Sequence, residues 1–318
     1  MKEKRIINLI GGRGYTGSEL LKLLAAHPEM DLGIASSRSL AGKKIADSCA
    51  GWPDAAAVFT ALEPGDIQRY PADAWVLALP NGLAAPWVNA IGNRFPGSVI
   101  LDLSADHRFD PAWVYGLPER LRPQIRTAKR IANPGCYATG AQLGLLPLLG
   151  QLASAPVIFG VSGYSGAGKT PSPRNDPEVL RDNLIPYSLN GHMHEREIAH
   201  QLQTSVRFMP HVAAFFRGIS LTIAFELEHA SSVEELAALY RRAYAEEDLV
   251  KVDQVIPQVS AVRDTPDVLI GGFSVDADDP ARGCLIVVLD NLLKGAASQA
   301  LQNLNLALGL EEKTGIVK

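Results

Sequence analysis

The sequence predicts an α/β protein with two sheets of different kinds, a parallel one first and a mixed or antiparallel one after it. Three observations carry this reading. Arg5-Ile6-Ile7-Asn8-Leu9-Ile10 is a short apolar strand that runs into a glycine-rich turn, and Ser18 to Ala26 then repeats its apolar residues at helical spacing. Ala74 to Leu79 and Ser98 to Leu103 are nearly unbroken apolar runs, as expected of parallel strands buried on both faces. Beyond residue 150, Pro156–Ser162, Phe215–Glu228 and Gly283–Asp290 read as strands not evenly spaced by helices, which suggests an α+β arrangement. At 318 residues the chain exceeds a typical single core, so two domains are expected.

The first turn is Gly11-Gly12-Arg13-Gly14-Tyr15-Thr16-Gly17. Strand, glycine turn and helix in this order form the Rossmann-type dinucleotide-binding pattern, here as a G-x-x-G-x-x-G variant. Gly11, Gly14 and Gly17 permit the tight turn and the close approach of a pyrophosphate, which the helix N-terminus then faces. Tyr15 and Thr16 belong to the same loop. The next strand, Asp31–Ala35, ends in Ser36-Ser37-Arg38-Ser39. No acidic residue stands there to hold a ribose 2′-hydroxyl; hydroxyls and an arginine suit a 2′-phosphate, so Ser36, Arg38 and Ser39 favour NADP(H) over NAD(H). The competing reading is a solvated loop with a stray arginine. Pro80-Asn81-Gly82 and Ser104-Ala105-Asp106-His107-Arg108 follow the two apolar strands, at the sheet edge where α/β proteins bind ligands. Ser104 and Arg108 are candidates for substrate contact, with an ordinary solvated loop as the equal alternative.

The chemistry centres on Asn133-Pro134-Gly135-Cys136-Tyr137, after which Ala138 to Leu146 reads as the start of a helix. A cysteine at a helix N-terminus is favoured as thiolate, the reactive form. The alternative is a buried structural cysteine. The chain is 47% hydrophobic and 20% charged with a formal net charge of −4, ordinary for a globular enzyme and unsuited to general nucleic-acid binding. Three cysteines, Cys49, Cys136 and Cys284, are too few and too scattered for a disulfide framework or a zinc cluster. No signal-peptide pattern and no bilayer-length apolar run is present, so a cytoplasmic, reducing setting without membrane contact is expected.

Gly163-Tyr164-Ser165-Gly166-Ala167-Gly168-Lys169-Thr170 matches the letters of a P-loop. A true P-loop needs a helix directly after the lysine, and Pro171, Pro173 and Pro177 disfavour one. A loop lining an active site fits better. Gly191-His192-Met193-His194-Glu195-Arg196-Glu197 brings two histidines and carboxylates together without a metal-binding spacing, so no metal is expected and an acid/base role fits better. A pair of polar residues at a helix start is the alternative. Asn291, after the last strand, suits an amide such as a nicotinamide carboxamide, or simply a turn.

These motifs, together with Pro210-His211, Arg217-Gly218 and Asp290-Asn291-Leu292-Leu293-Lys294-Gly295-Ala296, resemble the N-acetyl-gamma-glutamyl-phosphate reductase family, within the wider aspartate-semialdehyde dehydrogenase group. The resemblance covers almost the whole chain. It implies an NADP-binding domain over 1–138 completed by a C-terminal helix in 296–318, and a catalytic and oligomerisation domain over 139–295. It also implies a homodimer or homotetramer, and reduction of N-acetylglutamyl 5-phosphate to the 5-semialdehyde in arginine biosynthesis. Related acyl phosphates, N-succinylglutamyl or carrier-linked aminoadipyl phosphate, stay open, as do a P-loop nucleotide-binding protein and a cysteine hydrolase. By the same resemblance Cys136 is the nucleophile. His192 is the acid/base with His194 as its rival, while Ser165, Gly166 and Asn291 face the cofactor. Lys169, Arg108, Ser104, His194 and Glu197 face the substrate. Two departures are Met193, where the family often has arginine, and His107, where it often has phenylalanine.

Overall fold

The structure is a computed structural model and describes residues 3–316. In chain order the first elements are β1 (Arg5–Ile10), α1 (Tyr15–Ala25), β2 (Met30–Ser36), β3 (Ala74–Leu77), α2 (Ala85–Arg94), β4 (Val99–Asp102), β5 (Val114–Tyr115), α3 (Pro118–Ile125) and β6 (Arg130–Ala132). They continue with α4 (Cys136–Leu145), β7 (Val157–Gly163), α5 (Pro177–Leu180), β8 (Leu184–Pro186), α6 (Met193–Leu202), β9 (Arg207–Ala213) and β10 (Ile219–Glu226). The last are α7 (Val233–Ala243), β11 (Val250–Val252), α8 (Val259–Val262), β12 (Val268–Val275), β13 (Arg282–Leu289) and α9 (Ser298–Ala307). The chain forms two compact units, one running to Pro134 and resuming at Ala296, the other spanning Gly135–Gly295.

The first unit holds a six-stranded sheet in the order β2-β1-β3-β4-β6-β5, and every pairing in it is parallel. β3 and β4 are buried at every position, which accounts for their unbroken apolar runs. α1 turns Leu20, Leu21 and Leu24 inward, the helical stripe read from the sequence. Trp75, Leu77, Trp87, Ile91 and Ile100 form one core cluster with Ile10, Leu62 and Ile67.

α9 belongs to this unit, and its polar side is interior. Gln299, Gln302, Asn303 and Asn305 are all buried. Buried amides need partners. Asn303 donates through Nδ2 to the Gly116 carbonyl at 2.9 Å and to Asn133 Oδ1 at 3.0 Å. Asn305 donates to the carbonyls of Glu312 and Thr314, each at 2.9 Å, and its Oδ1 meets His27 Nε2 at 3.1 Å.

The second unit holds a seven-stranded mixed sheet in the order β11-β12-β13-β10-β7-β9-β8. The β7–β9 and β11–β12 pairs are parallel and the rest antiparallel. β10 alternates strictly, with Ile219, Leu221, Ile223 and Phe225 buried and the intervening residues more exposed. α4 lies against the buried face through its glycines. A Cβ on Gly140 would come 2.7 Å from a Leu289 methyl, and one on Gly144 would come 2.5 Å from an Ile223 methyl. The Tyr240 and Tyr244 hydroxyls donate to the carbonyls of Gly144 and Leu143 at the end of α4. On the opposite face Val157 and Val161 are half-buried, and Phe159 is 39% exposed beside His211.

Candidate active site

The glycine turn is shaped by close backbone approach. Gly11 has φ +94°, and a Cβ there would lie 2.2 Å from the Ala78 carbonyl oxygen. A Cβ on Gly17 would lie 2.7 Å from the Gly11 oxygen. Around Gly14 there is space, with the nearest atom 3.9 Å from an added Cβ. Gly14 starts α1 without a side-chain cap, and Tyr15 and Thr16 form the first helical turn. Such an uncapped N-terminus beside an open glycine is a cradle for a pyrophosphate, so these residues fit a dinucleotide. The N–H groups of Gly11 and Gly12 both donate to the Ser36 carbonyl, at 3.0 and 2.9 Å, which locks the turn to the end of β2.

Ser36 and Ser37 are buried there, whereas Arg38 and Ser39 are exposed. Arg38 is not alone: its Nη2 lies 2.7 and 2.8 Å from the two carboxylate oxygens of Glu63. The sequence shows no acid at the end of β2 because this one arrives from 25 residues further on.

The loops after β3 and β4 are tied to each other. Asp106 accepts the Gly82 and Ala84 N–H groups, and Asn81 accepts that of Ala105. Fully buried Asp102 accepts from the Ser104 N–H, the Ser104 hydroxyl and His107 Nδ1–H, the last at 2.6 Å. The His107 ring stacks on Trp113 with centroids 4.0 Å apart. Buried Arg108 donates to the Asn133 carbonyl at 3.0 Å and to that of Leu103 at 3.1 Å. Ser104 and Arg108 thus carry structural bonds of the first unit in addition to the substrate roles expected of them.

In the second unit Cys136 is the first residue of α4, and Gly135 is its N-cap without a side-chain bond. The sulfur is therefore at the positive end of a helix of 10 residues. Fully buried Glu197 accepts the Gly135 N–H at 2.9 Å. Gly295, in a π-helical turn over Leu293–Ala297, leaves room for Cys136: a Cβ there would lie 2.7 Å from Cys136 Cβ.

Two tyrosines flank the thiol. The Tyr137 hydroxyl donates to the His211 carbonyl at 2.7 Å and shares a second hydrogen bond with the Tyr187 hydroxyl. Burial pushes the Tyr187 phenol up to about 12, the Cys136 negative charge adds to the rise, and Arg174 opposes it. Burial likewise raises Tyr137 well above an ordinary phenol, with Tyr187 and Cys136 contributing. The Arg174 guanidinium lies 4.8 Å over the Tyr187 ring.

Both histidines stand at the start of α6. His192 is the N-cap, and its Nδ1 accepts the His194 backbone N–H at 3.1 Å. A backbone N–H can only donate, so in neutral His192 the ring proton is on Nε2. Burial lowers the His192 pKa first and the charge of Arg174 second, while Glu195 opposes them. His192 stands edge-on to Tyr187 at 5.5 Å, and His194 edge-on to Tyr137 at 5.8 Å. The two imidazole centroids are 5.0 Å apart.

The P-loop letters fold as something else. Ser165 and Gly166 lie in a 3-10 turn, Tyr164–Ala167. Lys169 is exposed, and the next regular element is a 3-10 turn at Pro173–Asn175 rather than a helix. Asn175 donates to the carbonyls of Gly168 and Thr170, both at 2.7 Å, closing the loop on itself. Asn291 accepts the Gly218 N–H at 2.6 Å and donates to Ser165 Oγ at 2.9 Å, so its amide holds this loop. Among the described residues no group of three or more His, Cys, Asp or Glu side chains is placed to bind a metal, and no helix is long and apolar enough to cross a membrane.

The sequence reading missed Tyr187, Arg174, Glu63 and the packing role of Gly295. Tyr187 and Arg174 come from a proline-rich stretch without periodicity. Only the closeness of a C-terminal glycine to Cys136 could have marked Gly295.

Comparison with known proteins matches both units. Residues 6–128 fit the family model described as semialdehyde dehydrogenase, NAD binding domain, and residues 136–291 fit semialdehyde dehydrogenase, dimerisation domain. An N-acetyl-gamma-glutamyl-phosphate reductase of Xanthomonas campestris pv. campestris is 50% identical over 310 residues, 98% of each chain. The chain belongs to the N-acetyl-gamma-glutamyl-phosphate reductase family. The fold extends to more distant proteins. An aspartate semialdehyde dehydrogenase II of Vibrio cholerae superposes with TM-score 0.78 at 18% identity, covering 96% of this chain and 98% of that one. A Candida albicans aspartate semialdehyde dehydrogenase with NADP gives 0.73 at 17% identity, over 96% and 98% of the chains. Residues 6–128, which include the glycine turn, thus form an NAD-binding domain of this kind.

Proposed function

We propose that the chain reduces N-acetyl-L-glutamyl 5-phosphate to N-acetyl-L-glutamate 5-semialdehyde and phosphate with NADPH, a step of arginine biosynthesis. The observation that carries the chemistry is Cys136 at the N-terminus of α4, beside Tyr137 and Tyr187 and in the same unit as His192 and His194. The name borne by relatives at half identity supports the substrate. Arg38 with Ser36 and Ser39 supports the 2′-phosphorylated cofactor.

In this reading Cys136 sulfur attacks the acyl carbon. The S–C bond forms, the C–O bond to phosphate breaks, and phosphate leaves with the electron pair and takes a solvent proton. A thioester remains on Cys136. Bound NADPH supplies the hydride that reduces it. The oxyanion of the resulting thiohemiacetal re-forms its carbonyl and expels the Cys136 thiolate.

The histidines divide the proton work. The sequence favours His192 as acid/base, but its Nδ1 is engaged in the α6 cap, so neutral His192 offers only Nε2–H. We assign it as the donor that steadies the oxyanion. His194 then takes the thiol proton and returns it as the thiolate is released. Lys169, Arg174 and Arg108 are the cations proposed for the anionic ends of the substrate, with Ser104 as a further contact.

The first unit, completed by α9, is proposed as the cofactor domain and the second as the catalytic and oligomerisation domain. The half-exposed sheet face at Phe159 is proposed to meet a second copy in a homodimer, or a dimer within a tetramer. A cytoplasmic setting suits a thiol kept reduced.

The deciding experiment follows oxidation of NADPH with chemically prepared acyl phosphate, and the reverse reaction with semialdehyde, phosphate and NADP. Wild type is expected to run both, and Cys136→Ser neither, while still binding NADPH. Turnover by Cys136→Ser near the wild-type rate would overturn the thioester route. Preference for an N-succinyl or carrier-linked substrate would move the substrate within the group.

A further inference from the structure

In the first unit the residue expected to take the 2′-phosphate already carries an anion. Arg38 follows Ser36, whose carbonyl holds the Gly11 and Gly12 N–H groups, so it extends from the base of the glycine turn. Its partner Glu63 is held in place. It stands before the 3-10 helix Pro64–Arg69, its carbonyl accepting the Asp66 N–H at 2.9 Å while the Asp66 carboxylate accepts its own N–H at 3.0 Å. The segment before it is stitched to β2: Thr60 N–H donates to the Ala35 carbonyl and Ser37 N–H to that of Thr60, both at 3.0 Å. Buried Leu62 then anchors it in the core. Glu63 is thus a carboxylate on a fixed backbone, and Arg38 a long side chain 76% exposed that reaches it.

The two groups have opposite preferences. A guanidinium binds a phosphate dianion, whereas a carboxylate accepts a hydrogen bond from a ribose hydroxyl and repels a phosphate. We propose that Glu63 is a specificity-determining residue of the cofactor site: it competes with the 2′-phosphate for Arg38 and serves as the hydroxyl acceptor when the 2′-phosphate is missing. This rests on the reading of Arg38 as the 2′-phosphate ligand. The consequence is a chain that prefers NADPH less strongly than Arg38 alone would dictate and that binds NADH measurably.

The magnitude follows from the exposure of the pair. An exposed ion pair is a weak competitor, so its removal is expected to tighten NADPH about two- to five-fold. The same change removes the acceptor for the hydroxyl, so NADH weakens by a similar factor.

The test measures dissociation constants of NADPH, NADH and the fragment 2′,5′-ADP, by fluorescence and calorimetry, for wild type, Glu63→Gln, Arg38→Ala and the double variant. Glutamine keeps the length of the side chain and the backbone bonds to Asp66, and Glu63→Asp keeps the charge but shortens its reach. Both are expected to fold, checked by thermal melting. Glu63→Gln is expected to tighten NADPH and 2′,5′-ADP and to weaken NADH, Glu63→Asp to do the same to a smaller degree. With Arg38→Ala present, Glu63→Gln is expected to lose its effect on NADPH. If Arg38→Ala weakens NADPH selectively but Glu63→Gln leaves the NADPH-to-NADH ratio unchanged or lowers it, the role of Glu63 is overturned and that of Arg38 stands. If Arg38→Ala affects both cofactors equally, the reading of Arg38 falls, and the proposal with it.

Discussion

Glu197 Oε1 accepts the Gly135 N–H at 2.9 Å, so a carboxylate with no exposed surface holds the N-cap of the helix that Cys136 begins. The sequence suggested Glu197 as a substrate ligand. The structure gives it this backbone bond, which fixes where α4 begins and hence where Cys136 points. Glu197→Ala strands a buried donor and is expected to destabilise the fold by about 1–3 kcal/mol. Alkylation of Cys136 by iodoacetamide should slow and turnover fall. Glu197→Gln keeps an acceptor oxygen and should recover most of the stability. Equal melting temperatures for wild type and Glu197→Ala would show that the bond is dispensable.

Gly295 tests the same turn from the other side. An added Cβ would sit 2.7 Å from Cys136 Cβ and 3.3 Å from the Asp290 carbonyl oxygen. Neither neighbour is the far end of a flexible side chain. Overpacking of this kind costs about 1–3 kcal/mol. Gly295→Ala should therefore lower both stability and turnover while NADPH binding is retained. Full activity in this variant would mean that the π-helical turn can shift freely.

The histidine pair makes opposite predictions for its two members. His194→Asn removes the base proposed for thiol activation, so alkylation and turnover should both slow, turnover by about 10²–10⁴-fold. His192→Asn leaves alkylation largely intact, because asparagine can still cap α6, but it removes the Nε2–H donor and slows reduction. The pH–rate profile should lose one limb only in His194→Asn. If instead His192→Asn slows alkylation and His194→Asn does not, the roles are reversed.

Acid stability should depend on His27. It is buried, accepts the Glu29 N–H at Nδ1 and pairs through Nε2 with Asn305. Burial lowers its pKa, with the Asn305 bond opposing. The unfolded chain therefore takes up this proton before the folded one. As pH falls below the unfolded value of about 6.5, stability should drop, by at most about 1.4 kcal/mol per pH unit for this group. Thermal midpoints measured from pH 7.5 downward should fall less steeply in His27→Gln. Parallel curves would remove His27 from the account.

What the sequence made legible was local. Strand, glycine turn and helix lie within the first two dozen residues, and their spacing alone implies the parallel sheet. Cys136 follows a turn and precedes an apolar helix, so its place at a helix start is read from neighbours. The proline pattern after Lys169 rules out a P-loop helix in the same way. What stayed hidden depends on contacts across the chain. Glu63 meets Arg38 from 25 residues away, and Asn291 reaches Ser165 across 126. Arg108 spends hydrogen bonds on backbone carbonyls, which no side-chain pattern encodes. The His192 cap depends on the ring orientation at the first residue before α6, a detail below the resolution of periodicity.

The buried polar side of α9 bears on how this protein is made. Gly116, Asn133 and His27 depend on Asn303 and Asn305 for hydrogen bonds, so the parallel-sheet unit stays incomplete until residue 305 exists. During synthesis the ribosome makes the nine-tenths of the chain before that helix first. The mixed-sheet unit, contiguous from Gly135 to Gly295, can close while its predecessor still waits. The unit made first is thus the last to finish. A ribosome stalled shortly before α9 would hold a nascent chain with an unsealed nucleotide fold, a natural client for a chaperone.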